Sequence, residues 1–447
     1  MSSPVRIGVG AGFSGDRLDA ALPLVERGNI QYLIFETLAE RTIALAQLER
    51  LRDPSSGFHP FLEERLRRVL VTCRQRGVKI VSNMGAANPE AAGRRALALA
   101  TSLGLKGLKI AVVLGDDVLD QLRSTDVRVH ETGQLVRGMP SLVSANAYLG
   151  AEPIREALES GADVVLTGRV ADPSLVLAPL AHEHGWGSAD WDRLGAGIAI
   201  GHLLECTTQV TGGYFADPGY KDVPGLANVG YPIAEVAADG TAIISKTPGS
   251  GGLVSTATCK EQLLYEVHDP AAYLTPDVAA DFTGLSLSSA AQDRVHLQGG
   301  RGRPRPATLK VSVGYRDGWI GEGQVSYGGP GAVERARLAG EVVLDRLELL
   351  GVQPRETRVE CMGIDSLYQD ATPRLDAPYE ARVRVAARTN TREEALMVAH
   401  EVDSLGLSGP SAGSIASMNV KEVLGVVSAF IPRDLVQTRV IMHQVPD

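Results

Sequence analysis

For its first two hundred residues the chain alternates short apolar runs with helical patterns, and this alternation limits the possible folds more than any other feature. Strand-like runs fall at residues 6–9, 31–35, 78–82, 108–114, 142–145 and 162–167, and helical patterns at 17–27, 40–50, 61–75, 89–103 and 153–160. The runs are continuous rather than alternating apolar and polar, the pattern of strands covered on both faces. Repeated strand–helix units of this kind predict an α/β domain, a doubly wound and mostly parallel sheet with helices on both sides. The punctuation agrees: Gly77 follows the third helical pattern and Pro89 opens the fourth, as a helix stop and a helix first turn should.

After residue 225 the texture changes. Residues 233–245, with Asp239-Gly240 inside, read as a hairpin. Helical patterns at 260–267, 332–350 and 392–405 are interspersed with strand-like segments at 294–297, 308–315, 323–327, 358–364 and 380–387. A chain of 447 residues is long enough for two domains. The expectation is therefore an α/β domain over 1–225 followed by an α+β domain with antiparallel sheet over 226–447.

Net charge is −9, which argues against nucleic acid as a partner because phosphate binding needs a basic face. No apolar run reaches the roughly 18–20 residues that span a bilayer, and the N-terminus carries no export signal. No membrane association and a cytoplasmic location are expected. The four cysteines, Cys73, Cys206, Cys259 and Cys361, form no CxxC pair and are expected to be reduced thiols.

In an open parallel sheet, ligands bind beyond the carboxyl ends of the strands, so the loops of the first half can be read as one surface. The glycine-rich stretch Gly8 to Gly15 comes first. Its glycines would let backbone N–H groups of Gly10 and Gly12, with Ser14, approach a phosphate or oxyanion, although a tight turn explains them as well. Glu36 and Glu40 lie four apart where a strand becomes a helix. They are either paired acids for proton transfer or a cap with a salt bridge. Asn83 and Asn88 flank a loop of small residues, which a ligand or a Pro-initiated helix would equally require. Gly115-Asp-Asp could hold a metal or cap a helix, and the cap is the better reading.

Two further strand ends carry Asn146, in Ser144-Ala-Asn-Ala-Tyr-Leu-Gly, and Arg169 with Asp172. Arg169 is either a carboxylate or phosphate clamp or half of an internal ion pair. His202 and Glu205 share a helix face, with Cys206 beside them. They offer a base and an acid but too few ligands for a metal, and a structural histidine is the competing reading. Tyr214 follows a Gly-Gly turn. Arg301, Arg303 and Arg305 sit on a Gly/Pro-rich loop that suits a phosphate-rich tail, a solvated hairpin end or a subunit contact. No GxSxG, Walker A, HExxH or CxxC pattern is present.

Several of these strings together resemble the acyclic terpene utilisation family, AtuA. They are Gly10-Ala-Gly-Phe-Ser-Gly-Asp-Arg, Phe35-Glu-Thr-Leu-Ala-Glu-Arg-Thr, Asn83-Met-Gly-Ala-Ala-Asn-Pro, Ser144-Ala-Asn-Ala-Tyr-Leu-Gly-Ala, Thr167-Gly-Arg-Val-Ala-Asp-Pro-Ser, Gly201-His-Leu-Leu-Glu-Cys, Thr211-Gly-Gly-Tyr-Phe-Ala-Asp-Pro-Gly and Leu264-Tyr-Glu-Val-His-Asp-Pro. The resemblance runs on through Leu309-Lys-Val-Ser-Val-Gly-Tyr-Arg-Asp-Gly and weakens at Gly409-Pro-Ser-Ala-Gly, where the family is richer in glycine.

The resemblance implies a setting in the breakdown of acyclic terpenes and branched acids as coenzyme A thioesters. The loops then suggest an enzyme of lyase or hydratase type acting on a carboxylated acyl-CoA. Glu36, Glu40 and His202 are the acid–base candidates. Substrate would meet Gly10, Gly12, Ser14, Asn83, Asn88, Asn146, Arg169, Asp172, Tyr214, Arg301 and Arg303. The thioester is a substrate rather than a cofactor, no metal is called for, and a homo-oligomer is expected. A non-catalytic acyl-CoA-binding or scaffold subunit of a carboxylase-type complex is the alternative, and a nucleotide-dependent enzyme the third.

Overall fold

The computed structural model describes residues 3–368 and 378–447, so the first two residues of the N-terminal reading lie outside it. Two compact units emerge. One comprises residues up to 139, 143–314 and 426–447, and the other 140–142 and 315–425. They do not divide at residue 225, because the strands that follow that point pair with the strands before it.

In chain order the strands are β1 (Val5–Ala11), β2 (Tyr32–Phe35), β3 (Lys79–Ser82), β4 (Lys109–Leu114), β5 (Leu142–Ala147), β6 (Val164–Thr167), β7 (Pro232–Val236), β8 (Ala242–Lys246), β9 (Tyr273–Leu274), β10 (Ala279–Asp281), β11 (Ser286–Ala291), β12 (Arg294–Gln298), β13 (Arg301–Arg303), β14 (Thr308–Gly328), β15 (Glu356–Met362), β16 (Glu380–Thr389), β17 (Gly413–Pro432) and β18 (Arg439–Gln444). The helices are α1 (Ala21–Arg27), α2 (Glu40–Arg52), α3 (Leu62–Arg76), α4 (Pro89–Ser102), α5 (Leu119–Ser124), α6 (Glu152–Glu159), α7 (Ser174–His184), α8 (Trp191–Glu205), α9 (Thr256–Leu264), α10 (Ala332–Leu349) and α11 (Arg392–Ser408).

The first unit is built on a ten-stranded sheet of order β11-β12-β8-β7-β1-β2-β3-β6-β4-β18. Strands β1, β2, β3, β6 and β4 are parallel. The hairpin β7–β8 joins antiparallel at β1, and β18 joins antiparallel at β4. Strands β2 and β6 are buried at every position, as continuous apolar runs require. One face packs Leu24, Leu66, Val69, Ala92 and Ala96 from α1, α3 and α4; the other packs Ile154, Leu177, Ile198 and Leu203 from α6, α7 and α8. The doubly wound α/β sheet read from the sequence is therefore present, its five parallel strands from the first half flanked by antiparallel strands on both sides. Gly77 ends α3 in the left-handed conformation, and Pro89 opens α4 behind the Asn88 cap.

Two elements depart from expectation. The helix expected from residue 17 begins at Ala21, because Asp16, Arg17 and Asp19 are drawn into hydrogen bonds within the preceding loop. Strand β5 is not part of the large sheet. It pairs with β14, a choice between partners that its apolar run does not encode.

In the second unit the elements run β14-α10-β15-β16-α11-β17, with spatial order β15-β16-β14-β17. This is the ferredoxin-like β-α-β-β-α-β arrangement. Ala336, Ala339 and Val343 of α10 and Val398 and Val402 of α11 pack on Val325, Val383 and Val385 of the antiparallel sheet, the α+β texture expected of the second half. No helix among the described residues is long and apolar enough to cross a membrane.

Candidate functional site

The parallel strands end at Ala11, Phe35, Ser82, Leu114 and Thr167. The residues just beyond them converge, and their interactions divide into three groups.

The first is the glycine-rich loop, which is already filled. The buried Asp16 carboxylate accepts hydrogen bonds from the backbone N–H groups of Gly12 (2.8 Å) and Arg17 (2.8 Å), the Thr207 hydroxyl (3.0 Å) and the Tyr231 hydroxyl. The buried Arg65 guanidinium holds the carbonyls of Asp16 (2.6 Å) and Arg17 (3.0 Å). The expected anion cradle at Gly10, Gly12 and Ser14 is corrected on this ground, because the protein's own carboxylate occupies it. Ser14 pairs with His59 at 3.1 Å. His59 Nδ1 accepts from the Phe61 N–H, so Nε2 carries the proton and cannot activate the serine. The glycines serve packing instead. A Cβ on Gly10 would meet Phe35 and Ala21, and one on Gly12 would lie 2.5 Å from the Glu205 carbonyl oxygen. Gly12 thus lets the end of α8 approach the end of β1. Asp16→Ala should destabilise the fold by at least about 2 kcal/mol, since it leaves buried donors unsatisfied; urea unfolding measures it.

The second group is ionic. Arg169 is 2% exposed. Its Nη1 donates to the Leu38 carbonyl (2.5 Å) and to Asp172 (2.8 Å), and its guanidinium lies 4.1 Å from the centre of the Tyr148 ring. Burial disfavours the charge of Arg169, but Asp172 and its other neighbours hold it firmly protonated. Lys310 lies over the same ring and pairs with Glu40 at 3.1 Å, and the Tyr148 hydroxyl also donates to Glu40. Burial opposes ionisation of Glu40, yet Arg169, Tyr148 and Lys310 bring it down to about 2. Glu40, one of the expected acid–base candidates, is therefore held as an anion against Lys310. Glu36 is held well above its ordinary range by burial and then by the charge of Asp172; its carboxylate accepts from Asn83 (2.9 Å) and the Leu38 N–H (2.8 Å). Asn146 donates to Asp116 (2.9 Å), which also accepts from the Arg169 N–H (2.8 Å). Asp116 therefore ties three strand ends together rather than capping a helix.

The third group is a histidine–carboxylate pair. His202 is 1% exposed, and its Nδ1 lies 2.7 Å from Glu205 Oε1. Their i,i+3 spacing near the end of α8 makes this geometry local. His202 Nε2 and Glu205 Oε2 are buried with no hydrogen-bond partner among the described residues. Burial raises Glu205 to about 7 despite His202, and Glu205 raises His202 although burial pulls it the other way. The contact with Glu205 takes up Nδ1, and Nε2 is the ring nitrogen left over. That atom can thus act as base or acid.

The His202 ring lies 5.3 Å from Tyr273, and Tyr273 walls a cleft of about 360 Å³. The cleft is lined mainly by apolar side chains, among them Ala171, Pro173, Leu274, Pro276, Leu309 and Phe430. Asp172, Tyr148, Lys310, Thr275 and Thr308 supply its polar groups. Other expected site residues lie apart from it. Asn88 caps α4 and donates to the carbonyls of Pro54 and Ser56. Arg301 and Arg303 are on β13, where Arg303 donates to the Ala271 carbonyl, and neither lines the cleft. Tyr214 is 90% exposed. The sequence reading passed over Tyr148, Lys310 and Tyr273. Tyr148 stood inside a conspicuous motif and Lys310 beside the arginine loop, whereas Tyr273 carried no signal.

The family model described as "Acyclic terpene utilisation family protein AtuA" matches residues 5–442. The chain belongs to the AtuA family. The match runs through both units, from β1 into β18. No curated protein and no solved structure matches the chain. In this AtuA-family protein the segments at residues 35–40, 144–151, 167–174 and 201–206 supply Glu36, Glu40, Tyr148, Arg169, Asp172, His202 and Glu205, all in or beside the ionic and histidine groups.

Proposed function

We propose that this AtuA-family protein is an enzyme that transfers protons on a carboxylated, branched acyl-CoA thioester, with lyase or hydratase chemistry. The observation that carries the reading is the His202–Glu205 pair, whose Nε2 has no hydrogen-bond partner among the described residues, one aromatic ring behind a mainly apolar cleft that carries Asp172, Tyr148 and Lys310. A branched acyl chain suits the apolar lining. Lys310 and the Arg169–Tyr148 stack put positive charge at the polar end, where a substrate carboxylate or a thioester oxygen acquiring negative charge would gain. His202 Nε2 takes the proton, and Glu205 fixes the tautomer that leaves Nε2 free to do so. Tyr273 must turn aside for substrate to reach that atom.

A non-catalytic acyl-CoA-binding subunit would use the same cleft without needing a buried base. The nucleotide-dependent alternative loses its main support, because Asp16 fills the glycine-rich loop. The reading is tested by incubating the purified protein with a panel of branched acyl-CoA thioesters and following mass changes. Addition of water or cleavage of a carbon–carbon bond is expected for at least one of them. Binding without conversion would favour the scaffold reading.

The pair also makes a pH prediction. Activity should rise with pH as Nε2 loses its proton. Glu205→Gln removes the group that raises His202 and leaves burial, which lowers it, so the rising limb should move to lower pH. A limb that stays in place would separate Glu205 from the chemistry.

A further inference from the structure

The two edges of the ferredoxin-like sheet differ. The edge at β15 is seven residues long and carries Glu356, Arg358 and Glu360, the charged, short form by which proteins keep an edge from pairing. The other edge is β17. From Gly413 to Val420 it has no charged residue and no proline, and Ser414, Ala416, Ser417, Met418 and Asn419 are all exposed. On one side this strand pairs with β14. On the other, residues 413–425 pair with no strand among the described residues. From residue 428 the strand is covered: His130 N–H donates to the Ser428 carbonyl and Glu131 accepts from the Ser428 N–H. The bare stretch is therefore confined to the second unit, and it is the part without charge.

We infer that β17 pairs edge to edge with β17 of a second copy of this chain, antiparallel about a two-fold axis near Ser417. An exposed row of alternating N–H and C=O groups is a template for strand addition, and a two-fold antiparallel pair makes one such row serve both partners. Charge allows this arrangement. With Ser417 at the axis, Ala416 faces Met418, Ser414 faces Val420, and Lys421 faces Gly413 of the other copy, so no like charges meet. About eight backbone hydrogen bonds would form, and the two sheets would become one continuous sheet. The inference does not depend on the proposed reaction.

The test is the mass of the full-length protein in solution by light scattering, together with a single added thiol. The native cysteines are buried or half-buried, so Ser417→Cys provides one exposed thiol per chain. The wild type should run as a dimer at micromolar concentration, and Ser417→Cys should cross-link to a covalent dimer on mild oxidation. Ser417→Glu sets two like charges against each other at the axis and should raise the dimer dissociation constant at least about tenfold. Its melting temperature, extrapolated to low protein concentration, should match that of the wild type, as an exposed substitution allows. A monomeric wild type overturns the inference. So does a dimer that Ser417→Glu leaves intact and Ser417→Cys fails to cross-link, or an edge taken instead by a different protein.

Discussion

His202→Gln is expected to lower turnover of the acyl-CoA substrate by about 10²–10⁴-fold, the range for loss of a general acid–base, while thioester binding and stability stay close to wild type. The reason is the geometry of the ring. Glu205 engages Nδ1 at 2.7 Å, so the atom left over is Nε2, and it is buried without a partner among the described residues. Glutamine can still hydrogen bond to Glu205 and fill much of the same space between Tyr273 and Phe282, but it cannot carry a proton through the reaction. The measurement is steady-state kinetics alongside calorimetric titration of the same thioester. A structural histidine would show the opposite division, with stability falling and residual turnover per folded molecule unchanged.

The second large effect is on the fold. Arg169→Met should cost about 3 kcal/mol of stability, towards the lower end of what removing one partner of a buried ion pair costs, since Asp172 keeps a third of its side-chain surface. The loss comes less from the missing bond than from what remains: Asp172 next to Glu36, two carboxyls already raised by burial, with no cation between them. Adding Asp172→Asn to Arg169→Met should therefore recover part of the loss. A double-mutant cycle by urea denaturation reads the coupling; strictly additive losses would show that the pair is not an energetic unit.

The parts of this molecule that were legible in the sequence are those written in local pattern. The parallel strands followed from continuous apolar runs, and the sites at their ends followed from the rule that such sheets bind beyond their carboxyl edges. The i,i+3 spacing of His202 and Glu205 already put them on one helix face. What failed required knowing partners distant in sequence. The glycines of residues 8–15 looked like a phosphate cradle, but Gly8 accommodates Leu24, Gly10 accommodates Phe35 and Gly12 accommodates the Glu205 carbonyl. The anion that fills the loop is Asp16, one residue beyond its last glycine.

Glu40 and Glu36 looked alike as sequence, and their surroundings separate them. Glu40 meets Lys310 from 270 residues away and stays ionised, while Glu36 is raised by burial and by Asp172 in spite of Asn83, Arg169 and the Leu38 N–H. Strand β5 was legible as a strand and not as a partner of β14, since an apolar run fixes burial and leaves pairing to the rest of the chain.

The central claim is that His202 exchanges a proton with a carbon acid of a thioester. It is tested most directly by incubating wild type and His202→Gln with a branched acyl-CoA in deuterium oxide and reading deuterium at the carbon next to the thioester by mass spectrometry. The account predicts wash-in with wild type and none above the uncatalysed rate with His202→Gln. Equal wash-in with wild type and His202→Gln would contradict it.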